Sequence, residues 1–225
     1  MRFQGAARDA RAIVYAGVQA DPQVAAAAEL LADATPAQRV LARAVMNGET
    51  TDADGWRVMF PTLFGPTATG DAAEQARSGA ILDTSLAVAD RGEQVRSQVR
   101  GAIVEELTAR LLARRAGTAV VHRERRILFD GVRAEIHPYD VTVERDGAPE
   151  AYDCKWGARG INADVLHQLD DARSHAAHED ERLAVALVVL DARRSCEVRL
   201  GRQTAPHDAT GLVTLETLDE LSAAR

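Results

Sequence analysis

Lysine is almost missing from this chain. Lysine and arginine together number 27, and Lys155 is the only lysine among them. An arginine-favouring composition accounts for the other basic positions. The survival of one lysine is then either chance or a chemical requirement. Arginine stays protonated and forked, whereas lysine is a compact point charge whose pKa moves readily. Cysteine is scarce too. Cys154 and Cys196 are the only two, too few for a disulfide framework, so a cytoplasmic setting is the expectation. Aromatics make up 4% of the residues, which leaves core packing to Leu, Val, Ile and Ala. No run of about 18 apolar residues occurs, so no membrane-spanning helix is expected. The first residues, Met1 to Gly5, lack the basic segment and apolar run of a secretory signal. Positive charge is also in deficit. A net charge of −7 excludes a protein that coats nucleic acid by bulk electrostatics; any contact with DNA must be local or assisted by a partner.

What is present suffices for a sizeable core: 225 residues, 46% of them hydrophobic. Alanine dominates the first ninety residues and favours helix. Asp21-Pro22 reads as an N-cap followed by proline at the first helical position. Thr35 to Gln38 reads as a capping box, and Asn47-Gly48 as a helix end. Residues 49–70 carry Gly55, Pro61, Gly65, Pro66 and Gly70 and read as a loop or a set of turns. Their apolar members, Trp56, Met59, Phe60, Leu63 and Phe64, are expected to plug that loop into the core rather than to form a partner-binding patch. A further helix is expected over 71–90.

From residue 93 the pattern changes. Val95, Val99, Ile103, Leu107 and Leu111 recur at four-residue steps and predict a long helix ending before Gly117. Strand-like runs follow at 118–129, 134–144 and 151–156. Turn signals separate them at Asp130-Gly131 and Asp146-Gly147. A helix is predicted over 163–178. The apolar run 183–190 reads as a strand buried on both faces, reached by a crossover. Residues 196–200 read as a short edge strand, and the tail over 211–221 as one strand and a turn of helix. The class is α/β, a mixed sheet with helices on both faces. Three regions are expected: a helical region over 1–92, a core over 93–200 and an extension over 201–225.

Chemistry concentrates in that core. Asp140 lies on the second predicted strand, and Asp153 and Lys155 on the third. Hairpin pairing brings Asp140 beside Asp153, and period two puts Asp153 and Lys155 on one face. Two carboxylates crowded together need a counter-charge, and a hard cation with oxygen ligands supplies one.

Asp140, twelve residues, then Asp153-Cys154-Lys155 resembles the PD-(D/E)XK motif of restriction-endonuclease-like nucleases. Gly101 to Glu105 is similar to the glycine-then-glutamate pattern of that superfamily's first core helix. Asp164 to Gln168 is similar to the helix that brings a glutamine near the site. The order of helix, three-strand antiparallel meander, helix and further strand is the superfamily's core. The match covers about residues 93 to 200. It departs in one respect, because the proline is Pro138 and not the immediate neighbour of Asp140. The resemblance implies a Mg²⁺-dependent DNA nuclease, with Mn²⁺ as a substitute. Asp140, Asp153, Glu105 and the Cys154 carbonyl would be metal ligands. Lys155 would orient and help deprotonate water or stabilise phosphate charge, and Gln168 would assist position. Defence against foreign DNA, or DNA repair, is the implied setting, with self-association or a partner protein. Two alternatives stand beside it: a non-catalytic nuclease-like fold that binds nucleic acid or supports assembly, and a nuclease that cuts RNA.

Weaker features have plain readings. Arg114, Arg115, Arg123, Arg125 and Arg126 form a local basic run that either grips phosphate or is salt-bridged surface. Glu144 reads as surface and His175 with His178 as no zinc site. Cys154 reads as a buried small hydrophobe.

Overall fold

The structure, a computed structural model, describes residues 1–5, 10–130, 132–133, 137–207 and 210–223. It divides into two compact units, Met1–Ala12 with Thr108–Arg225, and Ile13–Leu107. The division falls elsewhere than the expected boundaries at 92 and 200.

The unit from Ile13 to Leu107 is helical. Its elements are most of α1 (Ala10–Gln19), α2 (Pro22–Ala32), α3 (Pro36–Asn47), α4 (Ala53–Met59), α5 (Pro61–Phe64), α6 (Ala72–Ala89) and the first part of α7 (Glu93–Arg115). Caps start these helices where the sequence places them. Asp21 accepts from the Gln23 amide, and Thr35 with Gln38 and Asp71 with Glu74 form full capping boxes. Val24, Ala28, Leu31, Leu41, Val45, Ile81 and Leu82 are buried, so small side chains and leucines make the core. Residues 49–70 are not the loop expected; Asp52 caps α4, and α5 follows it at once. Trp56 is buried while Met59 is exposed, so the apolar cluster enters the core only in part. Gly48 has extended backbone. Its role is space, because a Cβ there would meet the Trp56 ring at 2.6 Å.

The other unit is a mixed sheet of seven strands. They are β1 (Arg2–Gly5), β2 (Val120–Phe129), β3 (Val132–Arg133), β4 (Tyr139–Glu144), β5 (Glu150–Lys155), β6 (Ala184–Val189) and β7 (Gly211–Val213). The spatial order is β1-β2-β4-β5-β6-β7, with β3 paired to β2. β1, β2, β4 and β5 pair antiparallel; β6 runs parallel to β5, and β7 to β6. The crossover from β5 to β6 is α8 (Ala163–His178), as parallel pairing requires. The turn between β4 and β5 holds Gly147 at φ +71°, a conformation open to glycine without a Cβ penalty.

Several expectations need correction. β1 lies within the region read as helical; it is short, and only pairing with β2 identifies it as a strand. Residues 196–200 belong to a helix, α9 (Arg193–Leu200), not to an edge strand. Cys196 is buried there and its charged neighbours are exposed, a pattern that a four-residue window cannot tell from alternation. The second predicted strand begins at Tyr139 in the structure. Gly131, Ala134, Glu135 and Ile136, parts of the predicted turn and strand, lie outside the described residues.

Helices cover both faces of this sheet. Leu166, Leu169, Ala172 and Ala176 of α8 pack with Ala151, Val185, Leu187 and Val189. On the opposite face, the end of α7 packs over β5. Arg115 donates to both Glu150 carboxylate oxygens, at 2.9 and 2.6 Å, and to the Tyr152 hydroxyl at 2.9 Å. Arg115 also reaches the Leu221 carbonyl at 2.8 Å. Its side chain is 2% exposed and that of Glu150 6%. Arg115 is therefore a structural ion pair and no part of a phosphate-gripping surface.

Removing one member of a buried pair strands the other charge. Glu150→Ala should lower stability by about 3–5 kcal/mol, read from urea unfolding. A second expectation concerns acid. The Arg91 hydrogen bond holds the Asp21 carboxyl below its ordinary range, against the opposing effect of burial. A carboxyl with a lowered folded pKa stabilises at pH above its unfolded value, and that contribution vanishes as pH falls through the folded value. Asp21→Asn keeps a capping side chain and removes the charge. Its melting temperature should fall below wild type near neutrality and converge with it below about pH 2.

Candidate active site

The register Val141↔Tyr152 between β4 and β5, carried one residue further, sets Asp140 opposite Asp153. Directly opposed residues share a face of the sheet. Period two adds Lys155 to that face, which is also the face covered by α8. The ammonium Nζ of Lys155 is ion-paired with Asp153 and lies 3.9 Å from Asp140 Oδ2. The three side chains are 18%, 9% and 25% exposed, in the order Asp140, Asp153, Lys155. Burial works against the Lys155 charge, but Asp153 and then Asp140 outweigh it, and its pKa is raised above that of an ordinary lysine. In this arrangement the Lys155 ammonium is held by the carboxylates of Asp153 and Asp140.

The sheet is interrupted where Asp140 sits. On the β2 side the register passes from Arg123↔Val141 to Arg125↔Tyr139, skipping Glu124. Glu124 has φ +55°, outside the strand region, so its backbone breaks the ladder opposite Asp140. On the β5 side the ladder ends at Tyr152. The Cys154 amide, turned toward β4, donates instead to Asp140 Oδ2 at 2.6 Å. In a strand the N–H and C=O of one residue point to the same side. The Cys154 carbonyl therefore points to the same side of β5 as its amide. The Cys154 thiol is on the other face, 3.5 Å from the Thr108 hydroxyl of α7, and it is buried as expected.

Gln168 holds the entry to β4. From α8 its side-chain oxygen accepts from the His137 amide, and its side-chain nitrogen donates to the His137 carbonyl, both at 3.1 Å. The Tyr139 hydroxyl donates to the Gln168 carbonyl at 3.4 Å. Gln168 thus pins the segment leading to Asp140. His167 beside it is exposed.

Glu105 belongs to the helical unit. It is buried there, and its carboxylate accepts from the Tyr15 hydroxyl and, at 2.9 Å, from the Gln19 amide. Ninety residues separate Tyr15 from Glu105, so no spacing rule connects these partners. The basic run also resolves. Arg125 makes a two-pronged pair with Glu144 at 2.6 and 3.1 Å, so Glu144 is half-buried and partnered rather than surface. His175 stacks on Phe129, ring centroids 5.5 Å apart.

No protein-family model matches the chain, and no curated protein matches it. Among solved structures, the crystal structure of protein VC1899 from Vibrio cholerae is similar, at 15% identity and a TM-score of 0.49. The likeness covers 98% of this chain and 56% of that one. The chain thus spans little more than half the length of that protein. Similarity assigns no family here. Among the described residues no helix is long and apolar enough to cross a membrane.

The oxygen donors of the centre suit a hard divalent cation. Two carboxylates converge on one ammonium, and the Cys154 amide donates to one of them. Mg²⁺ needs only one or two carboxylates, with water and substrate phosphate completing its shell. Among the described residues no three His, Cys, Asp or Glu side chains gather into a metal-binding group. The Gln168 contacts predict a local effect. Gln168→Ala should cost about 1–2 kcal/mol and speed amide hydrogen exchange at His137 while exchange in β6 stays slow.

Proposed function

We propose that this protein is a metal-dependent nuclease with a restriction-endonuclease-like core, acting on DNA. The observation that carries the reading is the convergence of Asp140, Asp153 and the chain's single lysine on one face of β4 and β5. The supporting frame is α7, the antiparallel strands β2, β4 and β5, the crossover helix α8 and parallel β6. That succession supports the reading.

Asp140, Asp153 and the Cys154 carbonyl would hold Mg²⁺, which would polarise the scissile phosphate and lower the pKa of a bound water. The chain's own groups divide the remaining work. Asp140 is fixed by the Cys154 amide, so its second oxygen is oriented without rotation of the carboxyl. Lys155 keeps its charge and supplies a fixed cation, which suits it to a non-bridging phosphate oxygen as negative charge grows there. Gln168 keeps Asp140 in register with Asp153 through the His137 backbone. Hydrolysis breaks one P–O bond and leaves a phosphate on one fragment and a hydroxyl on the other. With a net charge of −7, strand contact is confined to the neighbourhood of the site or shared with a partner protein or second copy. Defence against foreign DNA or DNA repair are the settings in which such an activity is used.

Cleavage of plasmid and linear DNA with Mg²⁺ or Mn²⁺ tests this. Wild type should cut, and Lys155→Ala should lose on the order of 10²-fold or more of the rate. Asp140→Ala should abolish Mn²⁺ binding as well as cleavage. Equal cleavage by wild type and Lys155→Ala would sink the site assignment. Cutting of RNA in place of DNA would move the substrate class and keep the centre. DNA binding without turnover would favour a non-catalytic module.

A further inference from the structure

The turn that follows Lys155 is built closely around it. Residues Ala158–Gly160 form a single 3₁₀ turn. Gly160 lies against the lysine stem. A Cβ added at Gly160 would stand 2.9 Å from Lys155 Cδ and 3.1 Å from its Cβ and Cγ. The first of these is a clash, and the contact with Cβ cannot be relieved by rotating the far end of the side chain. The glycine backbone has φ values outside the left-handed region, so the missing side chain, not backbone freedom, is what this position requires.

The turn is fastened in turn by a buried carboxylate. Asp191, just past the end of β6, is 7% exposed. Its Oδ2 accepts from the Ala158 amide at 3.0 Å, and its Oδ1 from the Ala192 amide at 2.8 Å. Two further ties hold the same segment. The Leu190 amide donates to the Lys155 carbonyl at 3.0 Å, and Arg199 Nε donates to the Ile161 carbonyl at 2.9 Å. A lysine side chain has four rotatable bonds and would otherwise sample many rotamers.

We propose that Gly160 and Asp191 are positioning residues for Lys155: the Asp191 carboxylate clamps the 158–160 turn, and the bare face of Gly160 steers the lysine stem so that its ammonium rests between Asp140 and Asp153. The effect on hydrolysis rests on the nuclease reading above, but the placement of the ammonium does not. Asp191 acts on the turn through the Ala158 amide, and Gly160 acts through its contact with the lysine stem.

Because Lys155 is the only lysine, its reactivity can be read without ambiguity. The full chain is treated with an acetyl N-hydroxysuccinimide ester near neutral pH, digested, and the acetylation of Lys155 followed by mass spectrometry. The α-amino group serves as the internal reference. In wild type, Lys155 should react slowly, because its ammonium is held by two carboxylates. Gly160→Ala displaces the stem. Asp191→Asn retains one acceptor oxygen and turns an NH₂ toward an amide donor. Both should raise Lys155 acetylation severalfold relative to the α-amine, with circular dichroism unchanged. Gly79→Ala, where an added Cβ meets nothing within 4 Å, should behave as wild type. On DNA the two variants should lose kcat with KM little changed. Wild-type acetylation in either folded variant overturns the proposal; if one variant fails to fold, the other decides. Should wild type not cut DNA at all, the nuclease reading falls, and the acetylation rates still judge the positioning.

Discussion

Two carboxylates facing each other across neighbouring strands set the terms for the sheet unit. Asp140 and Asp153 repel each other, and partial burial strengthens that repulsion. The chain meets the cost in two ways. Lys155 places an ammonium between them, and the Cys154 amide donates to Asp140 in place of a ladder bond. The second accompanies the end of the β4–β5 ladder at Tyr152. A regular sheet would consume the Cys154 amide and carbonyl in strand pairing. On the other side of Asp140, the positive φ of Glu124 interrupts the β2–β4 ladder without changing its register.

The two faces of β5 carry opposite tasks. On one face Asp153 is buried beside a Lys155 that is partly open to solvent. On the other, Glu150 and Tyr152 are locked to Arg115. A strand only six residues long therefore holds a buried, fully paired ion pair behind a less completely neutralised one. The buried pair fixes β5 to α7 with geometric specificity, because a guanidinium fork meets both carboxylate oxygens. Rigidity on that side lets the other side hold charged groups within short range of each other. Gln168 and Asp191 extend the same principle. Each uses a buried polar group to pin backbone, one ahead of Asp140 and the other after Lys155.

Much of this was legible in the chain. The four-residue recurrence from Val95 to Leu111 and the helix expected over 163–178 match the observed helices, and the apolar run 183–190 matches β6 to within a residue at each end. Asp146-Gly147 fixes a turn that puts Asp140 opposite Asp153. The readings that failed share a cause. Arg2–Gly5 and Arg193–Leu200 are short, and their patterns fit more than one period; pairing with β2 decides the first, and burial of Cys196 the second. Pro61, Gly65 and Pro66 look like loop residues, yet Pro61 simply opens α5, a position where its missing N–H costs nothing.

By itself the sequence determined the local elements and the facing of Asp140, Asp153 and Lys155, because period, caps and turns act over a few residues and need no distant partner. Only the tertiary structure decided which charges are neutralised. Glu105 with Tyr15 and Gln19, Arg115 with Glu150, Arg125 with Glu144 and Asp191 with Ala158 are partners that no spacing rule connects. Their pairing follows from burial, where an unpaired charge is too costly to keep, and burial is a property of the folded chain alone.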